Sequence, residues 1–350
     1  MPKKIAIYSL ILLGVGIIYL STSREMMKKI SETRNEHDEW WGVHHATEGD
    51  LVGMSYLYYV PEFCGGDKPH FNKMVCNGND SIHMVLWGDS YCYRIPPEAF
   101  PCAAPYRFGR RYFQTLKYRI DTNRKNVLVI EIAERYVLDY LSGTDMYRYV
   151  YKAEIDTVED IKFENTEAGQ PHNLHFYTEM VFNPYINQNL EYNVFNYNCI
   201  NGIRKLKALL NYVFFSRASG NVCVSQNKQY LLLKETISNA GNASSYAPCT
   251  AAQLNSIIKT LNDIYAHYKN EGFDEVYLSI IPNPATILQS EGYNKLIPSI
   301  QNNTSLRMKI IDIYTPFTKT KKEVYRRGDT HWNTEGMNMW IGIVNEQLQR

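Results

Sequence analysis

Three residues in this chain have side chains suited to nucleophilic acyl chemistry. They are Ser90, in Met84-Val85-Leu86-Trp87-Gly88-Asp89-Ser90-Tyr91, and Asp329 and His331, in Arg326-Arg327-Gly328-Asp329-Thr330-His331-Trp332-Asn333. A serine hydroxyl attacks poorly until a base takes its proton. The usual base is a neutral imidazole held in one tautomer by a carboxylate. Asp329 and His331 stand two apart behind a glycine, and in an extended loop residues i and i+2 point the same way. The carboxylate can then engage one imidazole nitrogen and leave the other for Ser90. Asp89, Tyr91, Trp332 and Arg135 are further candidates for the site: Arg135 as a donor to a developing oxyanion beside the Ser90 N–H, and Trp332 as a shield of the Asp–His pair from water.

Such a site needs a rim on which a serine can be displayed. Ile82 to Trp87, Asn126 to Ile132, Glu275 to Ile281 and Met308 to Tyr314 read as buried strands. Between and after them come helical patterns at Tyr106–Tyr118, Glu134–Leu141 and Ala251–Tyr268. The closing helix carries Met337, Trp340, Ile341, Val344 and Leu348 on one face, with Asn333 as its N-cap. Buried strands alternating with helices predict an α/β fold with a central parallel sheet covered on both faces, where chemistry collects at the carboxyl ends of the strands. Residues 151–249, rich in Asn and Tyr, break this rhythm and read as an insertion or cap. Their one clear helix, Ile203 to Phe214, has Ile203, Leu206, Leu210 and Val213 as its apolar stripe.

The two motifs together resemble the SGNH/GDSL hydrolase superfamily. The Asp-x-His-Trp form is similar to the polysaccharide O-acetyltransferases of the AlgX/AlgJ-like group. The alginate proteins carry the Asp-x-His segment before the serine, whereas here it follows. The superfamily's Gly-x-Asn-Asp oxyanion segment has no counterpart after the second strand, where Glu134-Arg135 stands as in the acetylation relatives. The resemblance implies an SGNH-like three-layer αβα sandwich over residues 80–350, with Ser90 as nucleophile, His331 as base and acid, and Asp329 as its orienter. It also implies a polysaccharide or oligosaccharide acceptor, and a membrane-bound O-acyltransferase partner that supplies acetyl from across the bilayer. An esterase with the same triad and a non-catalytic glycan-binding scaffold are the alternatives.

The ends and the composition set the setting. Lys3 and Lys4 precede the uncharged stretch Ile5 to Ser23, which approaches the roughly 20 residues that cross a bilayer. Residues 1–23 read as a retained signal anchor rather than a cleaved leader, with the catalytic domain outside the cytoplasm and residues 24–79 as linker and lead-in. The 350 residues carry a net charge of +1, which gives no field for steering nucleic acid. The 28 tyrosines suit wet surfaces and sugar faces. No zinc-type Cys/His spacing and no phosphate-binding glycine loop occurs, so no metal and no cofactor is expected; His44-His45 beside Trp40-Trp41 read as surface or packing residues. The seven cysteines are Cys64, Cys76, Cys92, Cys102, Cys199, Cys223 and Cys249. They allow Cys64–Cys76 or Cys92–Cys102 disulfides in an exported body, or buried thiols.

Overall fold

The computed structural model describes residues 2–23, 26–27, 29–30, 49–64, 69–72, 82–93, 95–101, 103–110, 120–142, 186–195, 198–218 and 220–349. Its centre is an all-parallel sheet in the order β2–β1–β3–β6–β7, built from β1 (Ile82–Gly88), β2 (Ala103–Arg110), β3 (Lys125–Ala133), β6 (Glu275–Ile281) and β7 (Lys309–Ile310). A small antiparallel hairpin, β4 (Val222–Val224) with β5 (Leu231–Leu233), lies outside it.

The strand sequences explain the two-sided burial. Every residue of β1 is buried, and its side chains alternate between two hydrophobic clusters. Met84 and Leu86, with Val127 and Val129 of β3, face Met337, Trp340, Ile341 and Val344 of the closing helix Thr334–Leu348. Val85 and Trp87, with Leu128, Ile130, Val276 and Leu278, face Ile257, Leu261, Ile264 and Tyr268 of the helix Ala251–Asn270. Helices therefore cover both faces, as strands apolar on both sides require. Both helices start on side-chain caps. Thr250 and Gln253 form a reciprocal capping box, and Asn333 Oδ1 accepts the Gly336 N–H at 3.0 Å.

Several elements differ from the sequence expectation. Residues 103–110 form an edge strand, not the start of a helix over Tyr106–Tyr118; the rest of that stretch falls among residues 111–119, outside the described ones. Tyr106 and Phe108 alternate with Arg107 and Gly109, a period of two, and Pro105 sits where a ladder donor can be spared, on an edge. The expected strand Met308–Tyr314 shortens to Lys309–Ile310. Asp312 Oδ1 accepts the Thr315 N–H at 3.1 Å and turns the chain into a helix, Tyr314–Lys319. The stretch from Glu134 opens with a 3-10 turn, Glu134–Tyr136, before the helix Val137–Leu141. Trp40, Trp41, His44 and His45, most of residues 24–48 of the linker and lead-in, and residues 151–185 of the expected cap lie outside the described residues, as do Cys76 and Cys102, one member of each candidate disulfide.

The helix expected at Ile203–Phe214 is present as Asn198–Phe215, and its apolar stripe points outward. Ile203, Leu206, Leu210 and Val213 are exposed, whereas Ala208 is buried and Leu209 and Tyr212 pack against a third cluster with Leu51, Val52, Leu57, Val60 and Phe63. An amphipathic period defines two faces but not which of them meets protein.

At the N-terminus Pro2–Thr22 is one helix, and its stretch Lys4–Thr22 is long and apolar enough to cross a membrane or to serve as a signal sequence. Leu10, Leu12 and Leu13 stand exposed on it. Its end is held by the helix Ile186–Phe195: Asn189 Nδ2 donates to the Ser21 carbonyl at 2.8 Å, and Asn193 Nδ2 donates to Ser21 Oγ at 2.8 Å.

Trp340 is fully buried and donates its indole N–H to Ser279 Oγ at 2.9 Å, joining the closing helix to β6. Trp340→Ala is expected to cost about 3–5 kcal/mol, read as a lower denaturant midpoint for the detergent-solubilised chain. Trp340→Phe should recover most of the loss.

Candidate active site

The carboxyl edge of the sheet is organised by buried carboxylates that accept backbone N–H groups. Asp89 follows β1 and is almost fully buried. Its Oδ1 accepts the Tyr91 N–H at 2.9 Å and its Oδ2 accepts the Ala133 N–H at 3.2 Å, joining the ends of β1 and β3. Glu131 of β3 returns the link, its Oε2 accepting the Asp89 N–H at 2.7 Å. Glycine at 88 leaves room for this, since a Cβ there would lie 2.7 Å from the same Oε2. Glu134 joins β3 to β6: its Oε2 accepts from the Asn283 N–H at 2.8 Å and from Thr286 Oγ1 at 2.5 Å. Burial, only partly offset by those bonds, raises the Glu134 carboxyl above its ordinary range.

Ser90 emerges from this edge and is exposed. Its Oγ lies 2.7 Å from His331 Nε2, and His331 Nδ1 lies 2.7 Å from Asp329 Oδ1. Two segments separated by more than two hundred residues thus meet in one serine–histidine–aspartate chain. Asp329 Oδ1 also accepts the backbone N–H of His331 at 3.0 Å. The two-residue spacing therefore works as an Asx-type turn, with one carboxylate oxygen serving both the main chain and the ring of the same histidine, rather than as neighbours on an extended strand. The Arg326 guanidinium engages the other oxygen. Burial pushes the Asp329 carboxyl upward, but the bond and charge of His331 and the charge of Arg326 outweigh it and hold the group well below the usual carboxylate range. With Nδ1–H directed at Asp329, Nε2 is left as the acceptor for the Ser90 hydroxyl.

The loop that carries His331 is held from all sides. An isolated antiparallel bridge pairs Tyr325 with Trp332, and the Arg326 N–H donates to the His331 carbonyl at 3.2 Å. Tyr325 OH donates to the Pro282 carbonyl at 2.6 Å after β6. The Arg327 carbonyl accepts from the Leu231 N–H of β5 at 2.8 Å, and the Gly328 carbonyl accepts from Leu51 N–H and Val52 N–H at 3.2 and 3.1 Å. Gly328 is packed so closely that an added Cβ would lie 2.2 Å from the Phe63 carbonyl oxygen.

Of the other residues expected at the site, Asp89, Tyr91 and Trp332 come to it from below. Tyr91 is buried; its ring centroid is 4.8 Å from that of His331, and its OH donates to the Thr330 carbonyl at 2.5 Å. Trp332 is also buried and packs edge-on behind Tyr91 at 5.1 Å, so Tyr91 rather than Trp332 is the ring against the histidine. The Arg135 guanidinium stacks 4.8 Å from the Tyr136 ring centroid and 5.8 Å from that of Tyr91. It is nearly buried, and its Nη1 has no hydrogen-bond partner among the described residues.

Two contributors were not singled out in the sequence. Asp50, in the short helix Asp50–Ser55, accepts the Thr330 N–H at 2.8 Å through Oδ1 and bonds Thr330 Oγ1 through Oδ2, which lies 3.8 Å from His331 Nδ1. Burial and the nearby Asp329 charge raise its pKa. No local pattern announces it, because its partner is 280 residues away. Glu131 did carry a signal, an ionisable residue inside an otherwise apolar strand. Asp50, Asp329 and His331 also form a group whose ligand atoms could surround a cation. The Arg326 guanidinium on Asp329, and the commitment of His331 Nδ1 to that carboxylate, fit a hydrogen-bonded triad better than a cation site.

Comparison with models of protein families, with curated proteins and with solved structures finds no match. The chemistry of the site therefore rests on its own geometry.

Asp329→Asn keeps the shape but loses the charge that orients His331. It is expected to slow acylation of Ser90 by about 10²–10⁴-fold, measured by release of nitrophenol from a nitrophenyl ester. Because Asp329 is held low, it stays ionised throughout the neutral and mildly acidic range. Asp329 should therefore contribute no step of its own to the wild-type pH–rate profile between about pH 4 and 8.

Proposed function

We propose that this protein is a membrane-anchored serine acyltransferase that acts outside the cytoplasm and O-acetylates a polysaccharide through an acetyl-serine intermediate. The observation that carries the reading is the Ser90 Oγ–His331 Nε2 contact at 2.7 Å, backed by Asp329 at 2.7 Å on the other ring nitrogen. The SGNH-like resemblance of Gly88-Asp89-Ser90 and Asp329-Thr330-His331-Trp332 points the same way.

In the proposed first step His331 Nε2 takes the Ser90 proton as Oγ bonds to the carbonyl carbon of an acetyl ester. Negative charge gathers on the carbonyl oxygen, with the Ser90 N–H and Arg135 as the candidate donors to it; the Asp89 N–H is already committed to Glu131. The tetrahedral species collapses, the bond from carbon to the donor oxygen breaks, and the imidazolium returns its proton to the leaving alcohol. In the second step a sugar hydroxyl gives its proton to His331 Nε2 and attacks the acetyl carbon. Ser90 Oγ leaves and regains a proton. Asp329 stays ionised throughout and stabilises the imidazolium of both steps. No cofactor enters this scheme. A membrane-bound acyltransferase partner would deliver the acetyl group.

The second reading, an esterase, is favoured by one observation: Ser90 is exposed, so water can reach an acetyl-enzyme. The two share their first step and part at the acceptor.

Intact mass of the purified chain after exposure to an activated acetyl ester should rise by one acetyl group, and Ser90→Ala should abolish the gain. No adduct on the wild-type chain would sink the enzyme reading. If the adduct forms, added oligosaccharide should accelerate its loss and yield acetylated sugar. Loss at one rate with or without sugar, releasing acetate only, would make the protein an esterase.

A further inference from the structure

The helix Asn198–Phe215 presents an apolar face that the described residues leave uncovered. Ile203, Leu206 and Val213 are 69 %, 53 % and 61 % exposed, and Phe214 and Phe215 at its end are 70 % and 65 % exposed. Ile203, Leu206, Leu210, Val213 and Phe214 lie along one side, while Ala208, Leu209 and Tyr212 on the other side pack onto the segment 51–63. Isolated exposed apolar residues are ordinary on a protein surface, but a continuous stripe ending in Phe214 marks a contact surface. Two features say what covers it. The helix holds Arg204, Lys205 and Lys207 and no acidic residue, a composition that suits anionic headgroups. Arg204 reaches back over Tyr56 and Lys205 over Tyr58 on the side that packs on protein, and Lys207 follows beside the apolar face. The second feature is position. The preceding helix, Ile186–Phe195, grips the end of the N-terminal apolar helix through Asn189 and Asn193 on Ser21, and only two residues separate it from Asn198. The exposed face therefore begins close to where the chain would leave a bilayer.

We propose that Asn198–Phe215 lies in the surface of the membrane that Lys4–Thr22 crosses, with Ile203, Leu206, Leu210, Val213 and Phe214 inserted among acyl chains and Lys207 beside them at the level of anionic headgroups. This assignment is independent of the acyl chemistry at Ser90. Amphipathic helices that lie flat in an interface are built this way, with a basic polar side and bulky apolar residues opposite.

The full chain, reconstituted in vesicles of phosphatidylcholine and phosphatidylglycerol with a lipid carrying a diazirine near its glycerol backbone, tests this. After illumination, peptide mapping by mass spectrometry should find lipid adducts in 203–215 as well as in 4–22, and none in 251–270. Adducts in 4–22 without any in 203–215 would overturn the proposal, as would protein–protein cross-links from 203–215 in place of lipid. Leu206→Glu with Leu210→Glu touches only exposed positions, so the unfolding midpoint in detergent should stay unchanged. The same pair should lower the adduct yield in 203–215 at least fivefold while leaving that in 4–22 intact. An undiminished yield in the double variant would also overturn it.

Discussion

A carboxylate taken out of water must be given hydrogen bonds in return, and this constraint organises the molecule. Asp89, Glu131 and Glu134 are buried at the carboxyl edge of the sheet, and each accepts a backbone N–H from the end of a neighbouring strand or the loop beyond it. A parallel sheet leaves the peptide groups beyond its last ladder bonds without partners, and here side chains take that role. The consequence reaches the site directly. Ser90 follows Asp89, whose own N–H and both oxygens are fixed, so the serine has little freedom in where it projects.

The histidine side is built on the same principle. Asp329 serves the ring and the main chain of His331 together, Asp50 serves Thr330, and the carbonyls of Arg327, Gly328 and Thr330 each accept from a different part of the chain. A loop bonded in this way does not need a long regular element to hold its shape. The same bonds account for Asp50: the lead-in before the sheet is no mere connector, because residues 50–63 form one wall of the loop that carries His331.

The parts that were legible in the sequence share a physical origin. β1, β3 and β6 are largely apolar on both faces, so a hydrophobic run interrupted by single polar residues such as His83, Glu131 and Ser279 marks each within a residue or two. Ser90, Asp329 and His331 stood out by their joint placement, the serine after the first strand and the Asp–His pair before the last helix, and the α/β frame brings both segments to one edge. What stayed hidden depends on distant partners. Asp50 pairs across 280 residues, and neither end carries a pattern that names the other. Tyr106 and its neighbours carry aromatic residues that suit a helix or a strand, and pairing with β1 decides for the strand. The stripe on Asn198–Phe215 was visible as a period, but inward and outward faces are both apolar in part, and only the contact of Ala208 and Tyr212 with segment 51–63 separates them.

That last contact ties the two proposals together in space. Tyr212 meets Phe63 edge-on at 5.4 Å, and Phe63 belongs to the segment that begins with Asp50. Asp50 holds Thr330, and Thr330 precedes His331. Packed side chains of this kind transmit position because they deform little. A helix lying in the bilayer surface would thus hold the serine and its histidine at a set distance from the lipid. An acyl donor delivered from the membrane would then meet the nucleophile as a neighbour, at high effective concentration, without first dispersing into bulk water. On this argument the anchor and the surface helix have different tasks. A span alone keeps the domain near the membrane while leaving it free to tumble, whereas a second, parallel contact removes that freedom and gives the site a direction.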